Sequence, residues 1–169
     1  MQLTDSRVIA TDRQTVWAAI LDPQVLKACI PGCQEMTGSV NEGFTAVVVQ
    51  KVGPVKATFK GEITISDIAE GESLTLSGQG KGGPAGFASG QAKLNLSDTD
   101  AGATLLGYEV EAKVGGKLAQ LGSRIIDGFS RKLADQFFER FQAGLEPADE
   151  AEDPDSDSKK GWIGRMFRR

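Results

Sequence analysis

Apolar and polar residues alternate through most of the chain between residues 34 and 114, which is the pattern of strands with one buried face. Short segments rich in Gly, Pro, Asn and Asp separate the alternating runs and are typical of turns. Successive strands joined by such short turns favour an antiparallel meander. With one further run near the N-terminus, the predicted strands are 3–9, 34–40, 44–52, 55–68, 73–81, 87–96 and 103–114.

Helical patterns occur on both sides of the meander. Thr11 or Asp12 is suited to cap a short helix that runs to Ile20, and residues 23–28 predict a second one. Residues 116–144 predict one long helix, since apolar residues recur there every three or four positions. Its predicted buried stripe comprises Leu118, Leu121, Ile125, Phe129, Leu133, Phe137 and Phe141. Together these elements predict a two-layer α+β domain, with the long helix in the concave face of a curled sheet.

The sheet face that should meet this helix contains unusually small residues. Gly78, Gly80 and Gly82 share one face of a strand, Gly90 lies on the next strand, and Gly122 falls on the helix stripe. Two interpretations are equally open: the small residues leave a cavity, or they allow the helix and sheet to pack closely. A cavity here would have an apolar lining and would suit a hydrophobic small molecule.

Catalytic chemistry has little support in the sequence. The chain has no histidine, and Cys29 and Cys33 have neither the spacing of a redox pair nor that of a complete zinc site, so we interpret them as reduced structural thiols. Residues 78–83 match Gly-x-Gly-x-x-Gly, but Pro84 and another strand-like run follow. A dinucleotide site needs a helix at that point. An enzyme is therefore the less favoured hypothesis.

Charge divides the chain into three parts. Residues 146–158 contain seven acidic residues and no basic one, which predicts a disordered acidic linker after a domain formed by residues 1–145. Residues 159–169 contain five basic residues. Without these two segments the chain has 14 basic and 16 acidic residues, so the domain has no excess positive charge for nucleic acid. No signal-peptide pattern begins the sequence, and we expect a cytoplasmic protein.

The C-terminal segment predicts an amphipathic, membrane-binding tail. Four apolar residues fall on one arc of a helix and the arginines project from the other side, a pattern typical of a helix that lies on an anionic bilayer. Four apolar residues are far fewer than the roughly 20 that a spanning helix needs. Nucleic acid, an acidic protein or plain solvation are the alternatives for this tail. Its predicted membrane contacts are Lys159, Lys160, Trp162, Ile163, Arg165, Met166, Phe167, Arg168 and Arg169.

A series of short motifs also occurs in a set order along residues 1–145. They are Val16-Trp17, Asp22-Pro23, Leu26, Cys29-Ile30-Pro31-Gly32-Cys33, Val52-Gly53-Pro54, Phe59-Lys60-Gly61, Gly78-x-Gly80, Tyr108-x-Val110 and Gly115-Gly116-Lys117-Leu118-Ala119. This order resembles the family of the carbon monoxide dehydrogenase G subunit, in the START-like superfamily with its helix-grip fold. The Cys-Ile-Pro-Gly-Cys block is the most specific part. The chain departs from the pattern near Arg7, where a hydrophobic residue is usual.

The resemblance implies a non-catalytic accessory protein of a molybdenum-containing dehydrogenase of the carbon monoxide dehydrogenase type. It implies a hydrophobic ligand in the cavity, a membrane quinone such as menaquinone or ubiquinone, and a position on the inner face of the cell membrane. On this interpretation, the residues expected to line the pocket are Phe59, Gly78, Gly80, Tyr108, Leu118, Gly122 and Ile125. Two alternatives stay open: a membrane-recruiting docking adaptor whose core is filled, and a cyclase-like or lyase-like enzyme with Tyr108 as its acid.

Overall fold

The computed structural model describes residues 1–145, which form a seven-stranded antiparallel sheet and a helical layer. The predicted linker, 146–158, and tail, 159–169, lie outside the described residues. Strand order across the sheet is β1-β7-β6-β5-β4-β3-β2, so β2 to β7 form the predicted meander and β1 pairs with β7. The elements are β1 (Gln2–Ile9), α1 (Arg13–Ile20), α2 (Pro23–Cys29), β2 (Cys33–Ser39), β3 (Gly43–Val52), β4 (Val55–Ala69), β5 (Ser73–Lys81), a 3-10 turn (Gly83–Ala85), β6 (Phe87–Asp98), β7 (Thr104–Gly115), α3 (Lys117–Gln120) and α4 (Ser123–Leu145).

Capping residues start both short helices where the sequence predicts them. The Asp12 carboxylate accepts hydrogen bonds from the Thr15 hydroxyl and backbone N–H, and these bonds lower the pKa of Asp12 despite a small opposing effect of burial. Asp22 caps α2 in the same way, and Pro23 occupies the first helical position. Of the two predicted candidates for the cap of α1, Thr11 and Asp12, the structure shows Asp12 in that position.

The C-terminal helix differs from the prediction, because Gly122 interrupts it. This glycine has a φ of +90°, a left-handed conformation that ends α3 before α4 begins. The interruption changes which residue is buried at the start of α4. Ile126 is buried, whereas Ile125 is 40% exposed and lies against the β3–β4 turn at Gly53. The prediction that Ile125 belongs to the buried stripe is therefore wrong.

The buried residues form three clusters rather than one continuous core. The largest joins α1, α2 and the C-terminal half of α4 to one end of the sheet, where Phe141, Ile9 and Leu106 are fully buried. A second surrounds Phe44 between β2, β3 and α2. The third, which includes Leu118, packs the start of the helical layer on the ends of β3 and β7. The centre of the concave face lies between these clusters.

Candidate functional site

A strip of glycine and alanine crosses the centre of the concave face. Strand pairing places Gly78 opposite Gly90, and Gly90 opposite Ala112. One position along, Gly61 pairs with Gly80, which pairs with Ala88. Each of these two neighbouring rows thus presents nothing larger than a methyl group on three adjacent strands, while Ile63 and Val114 take the fourth positions. The prediction of a small-residue face is confirmed at the level of the cross-strand register.

Helix α4 does not fill the space above this strip. Its backbone contacts are concentrated on α2, β1 and β3, away from the central strands. Apolar side chains that surround the strip, such as Ile63, Leu76 and Val110, point to the concave face but are only partly buried. Phe129 and Leu133 on the facing side of α4 are also only partly buried. Of the two interpretations of the small residues, the structure favours the open one. No atom of α4 lies within 4 Å of a Cβ placed at Gly78 or Gly80, so the described residues leave an apolar groove on the concave face.

Several of the residues predicted to line a pocket border this groove. Gly78 and Gly80 belong to the strip itself. The Phe59 ring lies over Gly82 at one end of it, so close that a Cβ at Gly82 would lie 2.5 Å from the ring. Leu118 is buried beside Val52 at the same end. Phe59 and Leu118 therefore lie at one end of the groove, and their contact with a ligand stays a prediction.

Gly122 and Ile125 are at the margin of this arrangement. Gly122 forms the junction of α3 and α4, and no atom lies within 4 Å of the position that its Cβ would take. Ile125 contacts the β3–β4 turn on the exposed side of α4. An uninterrupted helix would have directed both residues toward the glycine strip. Because the helix is broken at Gly122, neither residue faces it. They mark the edge of the groove rather than its floor.

Tyr108 lies in the packed end of the core instead of the groove. It is only 4% exposed, and its ring stacks on Phe138 with centroids 5.1 Å apart. Its hydroxyl accepts a hydrogen bond of 3.4 Å from Arg7, whose guanidinium also pairs with Asp135 and lies 5.2 Å from the Phe138 ring centre. The sequence predicted Tyr108 as a polar group of the cavity, but the structure surrounds it with packed core.

Arg7, near the end of β1, is the position at which the chain departs from the pattern described above. Burial lowers the pKa of Arg7, but hydrogen bonds with Asp135 and Tyr108 more than offset that effect and raise it, so the side chain stays charged. Its Nε is buried without a hydrogen-bond partner among the described residues. The alkyl stem and planar head cover Phe138, which replaces the packing that a hydrophobic residue would supply.

The two thiols have the environments of structural residues. Cys29 is fully buried in the main core cluster, and burial raises its pKa to about 11, with a small opposing effect from Arg140. Cys33 Sγ donates a hydrogen bond of 3.3 Å to the Glu35 carbonyl oxygen, and partial burial raises its pKa. Both groups are protonated thiols at neutral pH, which makes them weak nucleophiles.

A second cavity, of about 620 Å³, lies on the outer face of the sheet. Its floor includes Gly78 and Gly90, since a glycine leaves the backbone bare on both faces of a sheet. This site was not predicted from the sequence, although polar residues that alternate with the glycines indicate it. Its polar walls include Glu62, Thr64, Ser77, Gln79, Ser89 and Gln91.

No helix within residues 1–145 is long and apolar enough to cross a membrane. The described part of the chain instead combines a curled antiparallel sheet, a C-terminal helix across its concave side and an apolar groove between them. This arrangement defines a START-like domain of the helix-grip type. Residues 6–146 match the family of the carbon monoxide dehydrogenase G subunit (CoxG), and the chain belongs to that family.

Solved structures agree with this assignment of the fold. A conserved protein from Geobacillus kaustophilus is 28% identical, with a TM-score of 0.79 over 85% of this chain and 93% of its own. A protein from Chromobacterium violaceum is 18% identical, with a TM-score of 0.62 over 87% of this chain and 99% of its own. A START superfamily protein from Mycobacterium smegmatis is 12% identical, with a TM-score of 0.60 over 85% and 98% of the two chains. A comparison with curated proteins gave no significant match.

Proposed function

We propose that the protein is a non-catalytic carrier that binds a membrane quinone and links a molybdenum-containing dehydrogenase of the carbon monoxide dehydrogenase type to the cell membrane. Membership of the CoxG family supports the partner. The observation that carries the proposal is the glycine-alanine strip beneath α4, with partly buried apolar side chains around it. A menaquinone or ubiquinone is the ligand class proposed.

The chemistry of the groove supports such a ligand. A flat quinone ring can lie against a floor without side chains, because no atom of α4 lies within 4 Å of the positions that a Cβ would take at Gly78 and Gly80. The isoprenoid chain would then contact the apolar side chains around the strip. Burial of each methylene group contributes about 0.8 kcal/mol. A ligand held chiefly by apolar contacts can enter and leave without breaking a fixed set of hydrogen bonds.

The membrane part of the proposal rests on the tail, residues 159–169, which lies outside the described residues. Trp162 and Phe167 are expected to enter the interface, and the basic residues of the tail to contact lipid phosphates. Each basic residue near an anionic surface contributes about 1 kcal/mol. The protein would therefore be peripheral on the inner face of the membrane.

The environment of Tyr108 supports the non-catalytic part of the proposal. An acid catalyst must reach the reacting atom within hydrogen-bond distance. The Tyr108 hydroxyl is directed to Arg7, and its ring stacks on Phe138 at the packed end of the core. Gln50, a polar residue on the same face of β3 as Val52, donates a hydrogen bond to the Pro31 carbonyl oxygen.

Extraction of the ligand tests the proposal. The full chain would be expressed in cells with an intact respiratory membrane, purified, and extracted with organic solvent for mass spectrometry. We expect close to one equivalent of quinone. A protein that is empty and also fails to take up added quinone would contradict the carrier and favour a docking adaptor.

A variant that blocks the groove can be compared with a variant that adds the same side chain outside it. A side chain at Gly80 starts in ordinary contact distance, since its Cβ would lie 3.9 Å from both Phe59 Cβ and the Lys60 carbonyl oxygen. Gly80→Leu therefore fills the groove without a backbone clash, and we expect it to abolish quinone recovery. Gly128→Leu is the control, because that glycine is exposed on α4 and its Cβ would meet no atom within 4 Å. Equal quinone recovery from the two variants would place the ligand elsewhere.

A further inference from the structure

Acidic and basic residues are separated between the two ends of the sheet. Alternate turns of a meander lie at opposite ends, so the β3–β4 turn, the 3-10 turn and the β7–α3 junction share one end, here named the glycine-proline end. The turns and strand ends that form it, 50–60, 79–89 and 113–126, contain no Asp or Glu, and Glu62, Glu111 and Asp127 are the acidic residues nearest to them along the chain. The turns at the other end contain Glu42, Glu70, Glu72 and Asp100.

Lysines on the glycine-proline end stand directly opposite one another. Lys51 pairs with Lys56 across β3 and β4, and Lys60 pairs with Lys81 across β4 and β5. Like charges in directly opposite positions destabilise a sheet. Every ion pair among residues 1–145 involves Arg7 or Arg13, so these lysines have no carboxylate partner within that part of the chain. An external anionic surface would offset this repulsion.

Large apolar side chains are exposed among these lysines. Phe87 is 50% exposed and stands directly opposite Lys81, and Ile125 is 40% exposed beside the β3–β4 turn. Aromatic and aliphatic side chains surrounded by basic residues are typical of surfaces that enter the lipid headgroup region. A surface that binds only phosphate does not need them.

A cavity of about 570 Å³ opens at the same end, and Lys56 and Lys117 form part of its wall. Val55 and Ala57 contribute from the concave face, whereas Lys56 and Thr58 contribute from the outer face. The cavity therefore lies at the rim of the sheet, and Gly82 and Ala57 place it beside the end of the apolar groove. Its two ammonium groups suit the phosphate of a lipid headgroup.

We propose that the glycine-proline end docks the folded domain on an anionic lipid bilayer, so that the groove opens toward the membrane. Phe87 and Ile125 enter the interface, and the lysines contact lipid phosphates. This inference rests on the proposed exchange of a hydrophobic ligand with the membrane. The exposed apolar groups and the rim cavity at the same end favour a bilayer over an acidic protein.

The tail can contact the same bilayer. Helix α4 has 23 residues, so about 35 Å separate its start at the glycine-proline end from Leu145 at the other end. The 13 residues from 146 to 158 span about 45 Å when extended. The linker is thus long enough for residues 159–169 to reach the membrane on which the domain docks.

Vesicle binding by the full chain tests the docking surface. The probe is vesicles of phosphatidylcholine mixed with phosphatidylglycerol, with pure phosphatidylcholine vesicles for comparison. We expect the combined Lys56→Gln, Lys81→Gln and Lys117→Gln variant to bind the anionic vesicles at least tenfold more weakly, because each basic residue contributes about fivefold. The matched control removes the same number of exposed charges elsewhere, through Lys27→Gln, Arg131→Gln and Lys132→Gln, and should bind within about twofold of the unaltered chain.

Hydrogen exchange separates this surface from the tail. In the full chain, anionic vesicles should slow amide exchange in residues 81–88 and 117–125. This protection should persist in a tail variant that combines Arg165→Gln, Arg168→Gln and Arg169→Gln. Equal vesicle binding by the two triple variants, or no protection of these segments, would overturn the proposal. Protection by the dehydrogenase but not by vesicles would also overturn it, and would assign the surface to an acidic protein. Quinone recovery from the unaltered chain tests the carrier function separately.

Discussion

The end and the centre of the concave face differ in how densely side chains pack between the sheet and α4. At one end Phe141, Ile9 and Leu106 are fully buried, and α1 and α2 close the layer. In the centre, glycine and alanine leave the sheet bare beneath partly buried side chains of α4. Side-chain volume along the strands therefore decides where the helix packs and where it only spans a groove. The packed end holds the fold together so that the centre can stay open.

The largest expected effect is the loss of a side chain at the packed end. Phe141→Ala removes a fully buried ring that contacts Phe137 and Phe138, and should lower the free energy of unfolding by about 3–5 kcal/mol. Urea denaturation followed by circular dichroism measures it. A decrease of less than about 1 kcal/mol in the free energy of unfolding would contradict the idea that the packed end stabilises the fold.

The buried thiol of Cys29, at the same end, should make the folded state less stable at alkaline pH. Burial raises the pKa of Cys29 to about 11, from an ordinary value near 9. The folded state therefore keeps a proton that the unfolded state loses, so stability is complete below about pH 9 and falls as pH rises toward 11. The slope is about 1.4 kcal/mol per pH unit, a total of about 2–3 kcal/mol.

The Cys29→Ala variant isolates this effect from the other groups that titrate at high pH. Its stability, measured by urea denaturation between pH 8 and 11, should fall less steeply than that of the unaltered chain by about the same 2–3 kcal/mol. Cys33→Ala is the control, and should flatten the curve less because Cys33 is only partly buried. Parallel curves for Cys29→Ala and the unaltered chain would show that the packed end admits water.

Features set by local sequence were predictable. Alternation places the strands to within one or two residues, and Asp12 is recognisable as a cap because its carboxylate can reach the backbone N–H three residues on. The small residues at Gly78 and Gly80 are also visible, because strand parity assigns them to one face. These features depend only on neighbours along the chain.

Features set by tertiary geometry were not predictable. A glycine within a helix costs only about 1 kcal/mol, so the pattern around Gly122 is compatible with an uninterrupted helix, and the left-handed break is visible only in the fold. The position of Tyr108 depends on how far along the strand the packed end extends. The opposition of Lys60 and Lys81 depends on cross-strand register, which follows from turn geometry rather than from either strand alone.

The smallest effect on stability is expected in the centre of the concave face. It gives the most direct test of the difference between the centre and the packed end. Phe129→Ala removes a ring from the same helix as Phe141, but this ring is only partly buried, so we expect a loss of about 1 kcal/mol in the free energy of unfolding. Because Phe129 faces the groove, quinone recovery should nevertheless fall more in Phe129→Ala than in Phe141→Ala, once both are measured on folded protein. A loss of stability as large as that of Phe141→Ala would mean that the centre is packed like the end, and that the groove does not exist as open space. A small loss with unchanged quinone recovery would keep the groove open but remove Phe129 from the surface that binds the ligand.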